Sequence, residues 1–243
     1  MKVLGVIPAR YGSSRFPGKP LIDLKGKSMI RRVYEGAGQS NLISELIVAT
    51  DDGRIVDEVK SFDGNVMMTS EHHRSGTDRC GEVAYQHSDV DVVINIQGDE
   101  PLVDPKQLDS LLKAFEDPNV QIATLGIRDR SEETRNNDNR IKLVKDVNGD
   151  ALYFSRSAIP HTDRASEPVL KQMELLRHIG VYAFRRETLL KLIELPVTAL
   201  EQVESLEQLR WMYHGYKVRV VETTIETPNI DAPEDIEEVL NRL

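Results

Sequence analysis

Only one cysteine, Cys80, occurs in the chain. No intramolecular disulfide can form, a cysteine-rich metal site is excluded, and such thiol usage suits a reducing compartment. Positive charge is also in short supply: 31 Lys and Arg stand against 40 Asp and Glu, a formal net charge of −9. An acidic chain lacks the basic field that draws proteins to nucleic acid or anionic membrane, so neither is an expected partner. An anionic small molecule would need a local basic cluster instead. Long apolar runs are missing as well. None approaches the ~20 residues that span a bilayer, and Val3–Ile7 is cut short by Pro8 and Arg10, too early for a signal-peptide core. These absences together predict a cytoplasmic protein without membrane insertion.

What is present is ordinary globular composition: 243 residues, 40% hydrophobic, with 15 Gly and 11 Pro. Disorder and fibrous repetition do not fit it, and a single α/β domain over residues 1–243 is the expected organisation. Short β-branched runs at Lys2–Ile7, Glu45–Ala49, Asn65–Met68, Asp91–Ile96 and Gln121–Ile127 read as strands buried on both faces. Between them lie helical stripes: Met29, Ile30, Val33, Tyr34 and Ala37; Ile55, Val59 and Phe62; Leu108, Leu111, Leu112 and Phe115. Such alternation predicts a Rossmann-like, mostly parallel sheet flanked by helices. The middle third is less regular. Arg128–Arg140 is polar throughout and reads as a loop, Ile141–Val147 and Ala151–Phe154 as strands around an Asn148-Gly149 turn. Ser157–Leu176, with Pro160 and Pro168, reads as an excursion from the sheet. Helical patterns return at Glu187–Glu194, Leu200–Tyr213 and Pro233–Leu243.

The strongest chemical signal follows the first strand, from Ile7 through Arg10, Ser13, Arg15 and Gly18 to Lys19 and Leu21. Ligands of open parallel sheets bind beyond the strands' carboxyl ends, where a loop of small residues can turn backbone N–H groups toward phosphate. Three cations in this loop of an acidic protein point to a polyphosphate. A P-loop is excluded because Lys19 is followed by Pro20, and a dinucleotide fingerprint because its spaced glycines are missing. A second cluster, Asn95-Ile96-Gln97-Gly98-Asp99-Glu100-Pro101, ends the fourth strand. Gly98 would admit a ligand closely, and Asp99 offers a hard oxygen to magnesium carried by phosphate; a plain turn explains the same residues equally well. Asp231 precedes Pro233, which suits a first helical position, so it is either a carboxylate near a helix start or a metal ligand beside Asp99. Ser75 and Asp78 have capping-box spacing, while Arg79 could face a ligand. Arg156 and His178 lie in strand-like surroundings where a charge needs a partner, either an acidic sugar or a structural hydrogen bond. Leu206, Leu209 and Tyr213 form a helical core stripe that leaves Glu207 and Gln208 off it.

Taken in order, Ile7–Arg10, Ser14–Leu21, Val48–Asp51, Ser75–Arg79, Gln97–Pro101, Leu152–Arg156, Arg177–Gly180 and Leu206–Arg210 resemble the CMP-Kdo synthetases, or 3-deoxy-manno-octulosonate cytidylyltransferases. The resemblance runs from Val3 to about Val239. It implies a nucleotide-diphospho-sugar transferase fold with a small mixed-sheet lobe at 128–185 that binds sugar and forms a homodimer. The implied reaction moves CMP from CTP to the anomeric hydroxyl of the acidic sugar Kdo, releasing pyrophosphate, in lipopolysaccharide biosynthesis. By that similarity Arg10, Ser13, Arg15 and Lys19 surround the phosphates, and Ala9, Ser75, Arg79 and Gln97 help hold the nucleotide. Asp99 and Asp231 would hold magnesium, with Arg10, Arg15, Lys19 and Asp99 as the catalytic set. Arg156, His178, Tyr182, Glu207 and Gln208 would line the sugar site. One departure stands out: where the family has Thr as a helix N-cap, this chain has Ala232, forgoing ~1 kcal/mol of capping. Rival readings keep the chemistry on 8-amino-Kdo or a sialic acid, or make the chain a silent nucleotide-sugar-binding regulator. An NAD-dependent oxidoreductase follows only from fold analogy and lacks the glycine pattern.

Overall fold

A computed structural model of the chain describes residues 1–12, 16–173, 175–230 and 232–243. In chain order the strands are β1 (Val3–Ala9), β2 (Glu45–Thr50), β3 (Val66–Met68), β4 (Val92–Asn95), β5 (Ile122–Arg128), β6 (Lys142–Lys145), β7 (Ala151–Ser155), β8 (Leu176–Arg185) and β9 (Arg219–Thr223). The helices are α1 (Met29–Ala37), α2 (Gly53–Ser61), α3 (Gly76–Gln86), α4 (Pro105–Lys113), α5 (Glu132–Asn136), α6 (Glu167–Gln172), α7 (Arg186–Leu192), α8 (Ala199–Glu204), α9 (Gln208–Tyr213) and α10 (Ile236–Arg242). Two compact units emerge: Met1–Lys113 with Val181–Ile193 and Thr227–Leu243, and Ala114–Gly180 with Glu194–Glu226. No helix among the described residues is long and apolar enough to cross a membrane.

In the first unit the strand order is β3-β2-β1-β4, with the second half of β8 beyond β4. The first four strands run parallel. Helical crossovers between parallel strands cover the sheet, which is why Val3, Leu4, Val6 and Ile7 of β1 are all fully buried, with α1 and α3 packed on that strand. The α1 stripe anticipated from the sequence is buried at Met29, Ile30, Val33 and Ala37, and Ser28 caps the helix through the Arg31 N–H. Because the strands are parallel, the segments after Ala9, Thr50 and Asn95 leave the sheet at one edge. A further apolar cluster joins Leu24 and Met29 to Ile230 and Val239, with Phe16, Leu102 and Leu240 against it. Before α10 the Ala232 N–H donates to Asp235 Oδ2 at 2.8 Å, but Ala232 has no oxygen to return, so half of the reciprocal cap is missing as its sequence implies.

In the second unit β5 pairs with β9 in parallel, and β6 pairs antiparallel with β7 and with the first half of β8. The Asn148-Gly149 turn is present, with Gly149 at φ 83° and Asp146 Oδ1 accepting from the Asn148 and Asp150 N–H groups. The Ser157–Leu176 excursion carries the short α6. Three expectations need correction. The polar Arg128–Arg140 segment is not all loop, since Ser131 caps the short α5. The helical pattern from Leu200 to Tyr213 is broken at Ser205, whose φ of 51° and ψ of 46° lie in the left-handed region. In the short α9 that follows, Gln208, Leu209, Arg210 and Trp211 are all buried, so Gln208 is not kept off the core, while Tyr213, expected in it, ends the helix 68% exposed.

Candidate active site

At the sheet edge of the first unit lies a cavity of about 300 Å³. Its wall is assembled from the end of β1 (Pro8, Ala9, Arg10), the Lys19 turn, the start of α3 (Ser75, Gly76, Arg79) and the end of β4 (Gln97, Gly98, Asp99). Among the described residues, four that line it, Arg10, Lys19, Arg74 and Arg79, are cations against one carboxylate, Asp99. A protein of net negative charge thus concentrates positive charge at one spot, which focuses the field on an anionic ligand.

Each of these side chains is placed by local chain chemistry. Gly18, at φ 74°, turns its N–H back to Tyr11 O at 2.9 Å, closing the loop before Lys19 and Pro20 begin a 3-10 turn. Lys19 Nζ then reaches Asp99 Oδ2 at 2.8 Å and the Ile230 carbonyl at 2.7 Å. The main chain of Ile230 is itself fixed, its N–H donating to Asp99 O at 2.9 Å. Ser13 and Arg15, expected at the phosphates, and Asp231, expected at the metal, lie outside the described residues.

The Ser75–Arg79 segment forms the expected helix cap and also places Arg79 on the cavity wall. Ser75 Oγ accepts from the Asp78 N–H and Asp78 accepts from the Ser75 N–H, a reciprocal cap, and one turn later Arg79 lines the cavity. Arg79 is 4% exposed and is held by Asp51 Oδ2 at 2.6 Å and by Thr69 Oγ1. Burial of a guanidinium is tolerable only with such partners. Gly98 lines the cavity, and a Cβ there would stand 2.8 Å from Pro8 O, so the glycine also serves close packing of the β1 and β4 ends within the wall.

The residues expected at the sugar fall in both units. Tyr182 belongs to the first, opposite Asn95 in the β4·β8 pairing and stacked on Phe184 with centroids 6.0 Å apart. Arg156, His178, Glu207 and Gln208 belong to the second. Arg156 donates from Nε to Glu204 O at 2.7 Å and from Nη1 to Asp138 O at 2.9 Å. His178 Nε2 and Thr124 Oγ1 are 2.8 Å apart, and the imidazole meets the edge of Phe154 at 5.1 Å. Burial, aided by the neighbouring Arg177 charge, pulls the His178 pKa down to about 3, so this side chain offers hydrogen bonds and no charge at neutral pH. Glu207 pairs with Arg210 at 2.9 Å, and Gln208 is 4% exposed with its Nε2 lacking a partner among the described residues.

Sequence reasoning passed over the groups that hold these residues. Asp51 and Thr69 fix Arg79, and His73, which contacts Glu82, adds with Arg74 to the cavity wall. Asp51 was detectable as a carboxylate just past a strand's carboxyl end; the Thr69 contact had no local signal.

The cytidylyltransferase family model matches residues 4–223. The 3-deoxy-manno-octulosonate cytidylyltransferase of Parabacteroides distasonis is 49% identical over 247 aligned positions, 99% of this chain and 97% of that protein. Its namesake in Phocaeicola vulgatus is 50% identical over 97% of this chain and 95% of its own length. Among solved structures, CMP:2-keto-3-deoxy-manno-octonic acid synthetase complexed with CTP superposes with a TM-score of 0.93 at 42% identity, covering 100% of this chain and 98% of that one. Full-length identity of this order, on a shared fold with a basic cavity at the strand ends, places the chain in the 3-deoxy-manno-octulosonate cytidylyltransferase family.

Proposed function

We propose that the protein transfers CMP from CTP to Kdo and releases pyrophosphate. The observation that carries this reading is the cavity that gathers Arg10, Lys19, Arg74 and Arg79 beside the carboxylate of Asp99 in an otherwise acidic protein. That charge pattern matches a nucleoside triphosphate, and the 3-deoxy-manno-octulosonate cytidylyltransferase relatives and the synthetase complexed with CTP point to CTP and Kdo as the substrates.

In this reading Ala9, Arg10, Ser75, Arg79 and Gln97 hold the nucleotide, and Arg10, Ser13, Arg15 and Lys19 act on its phosphates. The anomeric oxygen attacks the α-phosphorus as the bond to pyrophosphate breaks, and no side chain becomes covalently attached. Positioning and charge stabilisation supply the rate. Lys19 Nζ is fixed between a carboxylate and a carbonyl on the cavity wall, which supports a role for its ammonium in meeting the charge that grows on the leaving group.

Magnesium fits the donor set. Among the described residues no group of three or more His, Cys, Asp or Glu side chains gathers into a protein cage, whereas Asp99 presents one partly open carboxylate in the cavity wall. Magnesium is commonly bound through one or two carboxylates together with substrate phosphates. Asp99 would hold it, with Asp231, the sequence neighbour of Ile230, as the second ligand. When bound, the ion withdraws charge from phosphate oxygens.

Arg156 supplies positive charge for the sugar carboxylate, and His178, Tyr182, Glu207 and Gln208 supply hydrogen bonds for its hydroxyls. A homodimer through residues 128–185 and a cytoplasmic location complete the reading; a monomer mass independent of concentration in sedimentation would remove the dimer. The test of function is pyrophosphate release from CTP with magnesium and Kdo, with 8-amino-Kdo in parallel. No release with either sugar would overturn the reading, and preference for the amino sugar would reassign the acceptor.

A further inference from the structure

Arg156 stands out in the second unit for the company it keeps. Its guanidinium donates to three main-chain carbonyls, Glu204 O at 2.7 Å, Asp138 O at 2.9 Å and Ser205 O at 3.4 Å. Among the described residues no carboxylate forms an ion pair with it. The Glu204 carboxylate is engaged elsewhere: Oε2 accepts from the Arg156 N–H at 2.9 Å, and Oε1 accepts from Ser155 Oγ at 2.7 Å and Tyr153 Oη at 3.4 Å. Lys142, 5% exposed, closes the arrangement from below, donating to Asn137 O at 2.9 Å and to Arg156 O.

Glu204 therefore grips Arg156 twice, by side chain at the N–H and by main chain at the guanidinium. Burial works against its charged form, but the hydrogen bonds from Arg156, Ser155 and Tyr153 outweigh that and hold its carboxyl below the usual range. The residue after it, Ser205, occupies the left-handed region, an uncommon conformation for a non-glycine residue, and the chain then runs directly into Leu206, Glu207 and Gln208. One acid thus ties the end of β7 to the start of α9.

We infer that Glu204 is a positioning residue for the acidic-sugar subsite: by fixing Arg156 through hydrogen bonds, it presents an unneutralised guanidinium to the sugar carboxylate and sets Glu207 and Gln208 beside the same turn. The inference rests on the reading of Arg156 as a sugar ligand. A residue that served the fold alone would affect both substrates; a positioning residue affects the one whose ligand it orients.

Its donors make the test sharp. Ser155 and Tyr153 are hydroxyls that can turn and accept, whereas the Arg156 N–H can only donate. Glu204→Gln can therefore satisfy all of them, with its carbonyl on Arg156 N–H and its amide toward the hydroxyls, but Glu204→Ala satisfies none. Steady-state kinetics should show the KM for Kdo raised about tenfold or more in Glu204→Ala, the scale of a lost hydrogen bond to a charged group, with the KM for CTP within about twofold of wild type. Glu204→Gln should restore the KM for Kdo. An unchanged KM for Kdo in Glu204→Ala, an equal rise for CTP, or a loss in Glu204→Gln as large as in Glu204→Ala overturns the inference. If Glu204→Ala does not fold, Glu204→Asp, too short to reach all three donors, takes its place with the same readings. Should the wild-type chain turn over no acidic sugar, the proposed function fails separately, and a crystal structure of Glu204→Ala decides the inference: Arg156 displaced from the Glu204 and Asp138 carbonyls supports it, and Arg156 unmoved refutes it.

Discussion

Acidification from pH 7.5 to pH 5 should weaken the fold through His178, and the size of the loss follows from where that imidazole sits. Burial and the Arg177 charge lower its pKa from the ordinary 6.5 to about 3. The unfolded chain therefore takes up a proton that the native chain refuses. With a depressed native pKa on a base, the contribution is nil above about pH 6.5, grows as pH falls toward 3 and is constant below that. At pH 5 the unfolded imidazole is nearly all protonated and the native one nearly all neutral, a loss of about 2 kcal/mol relative to pH 7.5. The figure is set by the unfolded value and hardly moves while the native one stays below about 4. Carboxylates and other histidines titrate in the same range, so the assay compares wild type with His178→Gln, whose amide can still meet the Thr124 hydroxyl but cannot titrate. Urea unfolding at both pH values should show wild type losing about 2 kcal/mol more than the variant. Equal losses, to within about 0.5 kcal/mol, would mean that native His178 accepts a proton at its ordinary pKa and that the burial argument is wrong.

Two other substitutions test the nucleotide cavity. Lys19→Met should lower turnover about 100-fold or more with a much smaller change in calorimetric CTP affinity, because a charge that matters most in the transition state appears in the rate constant; collapse of affinity with turnover preserved at saturation would make Lys19 a docking charge. Gly98→Ala sets a Cβ 2.8 Å from Pro8 O, so the backbone of the wall must move. A stability loss of about 1–3 kcal/mol in urea unfolding is expected, and wild-type stability would show that the wall yields freely.

The parallel half of the sheet was legible because β1, β2 and β4 are apolar runs ended by turn residues, and this also put Lys19 and Asp99 past strand ends. Their 2.8 Å contact spans 80 positions and left no trace in the sequence. β8 was legible only as strand-like surroundings for His178 and not as a full strand, because Arg177 and His178 interrupt its apolar character, each satisfied by partners far along the chain, Glu226 for Arg177 and Thr124 for His178. β9 does alternate around Val218 and Val220, both buried, but it is short and follows directly on a helical pattern. The single helix expected over Leu200–Tyr213 failed at one residue, since nothing local marks Ser205 for a left-handed turn. That turn also concealed Glu204 as a partner of Arg156.

The double attachment of Ile230, to Lys19 through its carbonyl and to Asp99 through its N–H, bears on the order in which the protein can become competent. Ile230 and Val239 share an apolar cluster with Leu24 and Met29, so Thr227–Leu243 is sewn to the segment that follows β1. During synthesis that stretch emerges from the ribosome later than every other part of its unit. A nascent chain can pair β1 through β4 and still lack the strap that fixes Lys19. The contacts that fix Lys19 are thus completed only once the polypeptide has passed residue 230, among the last steps in assembling this unit.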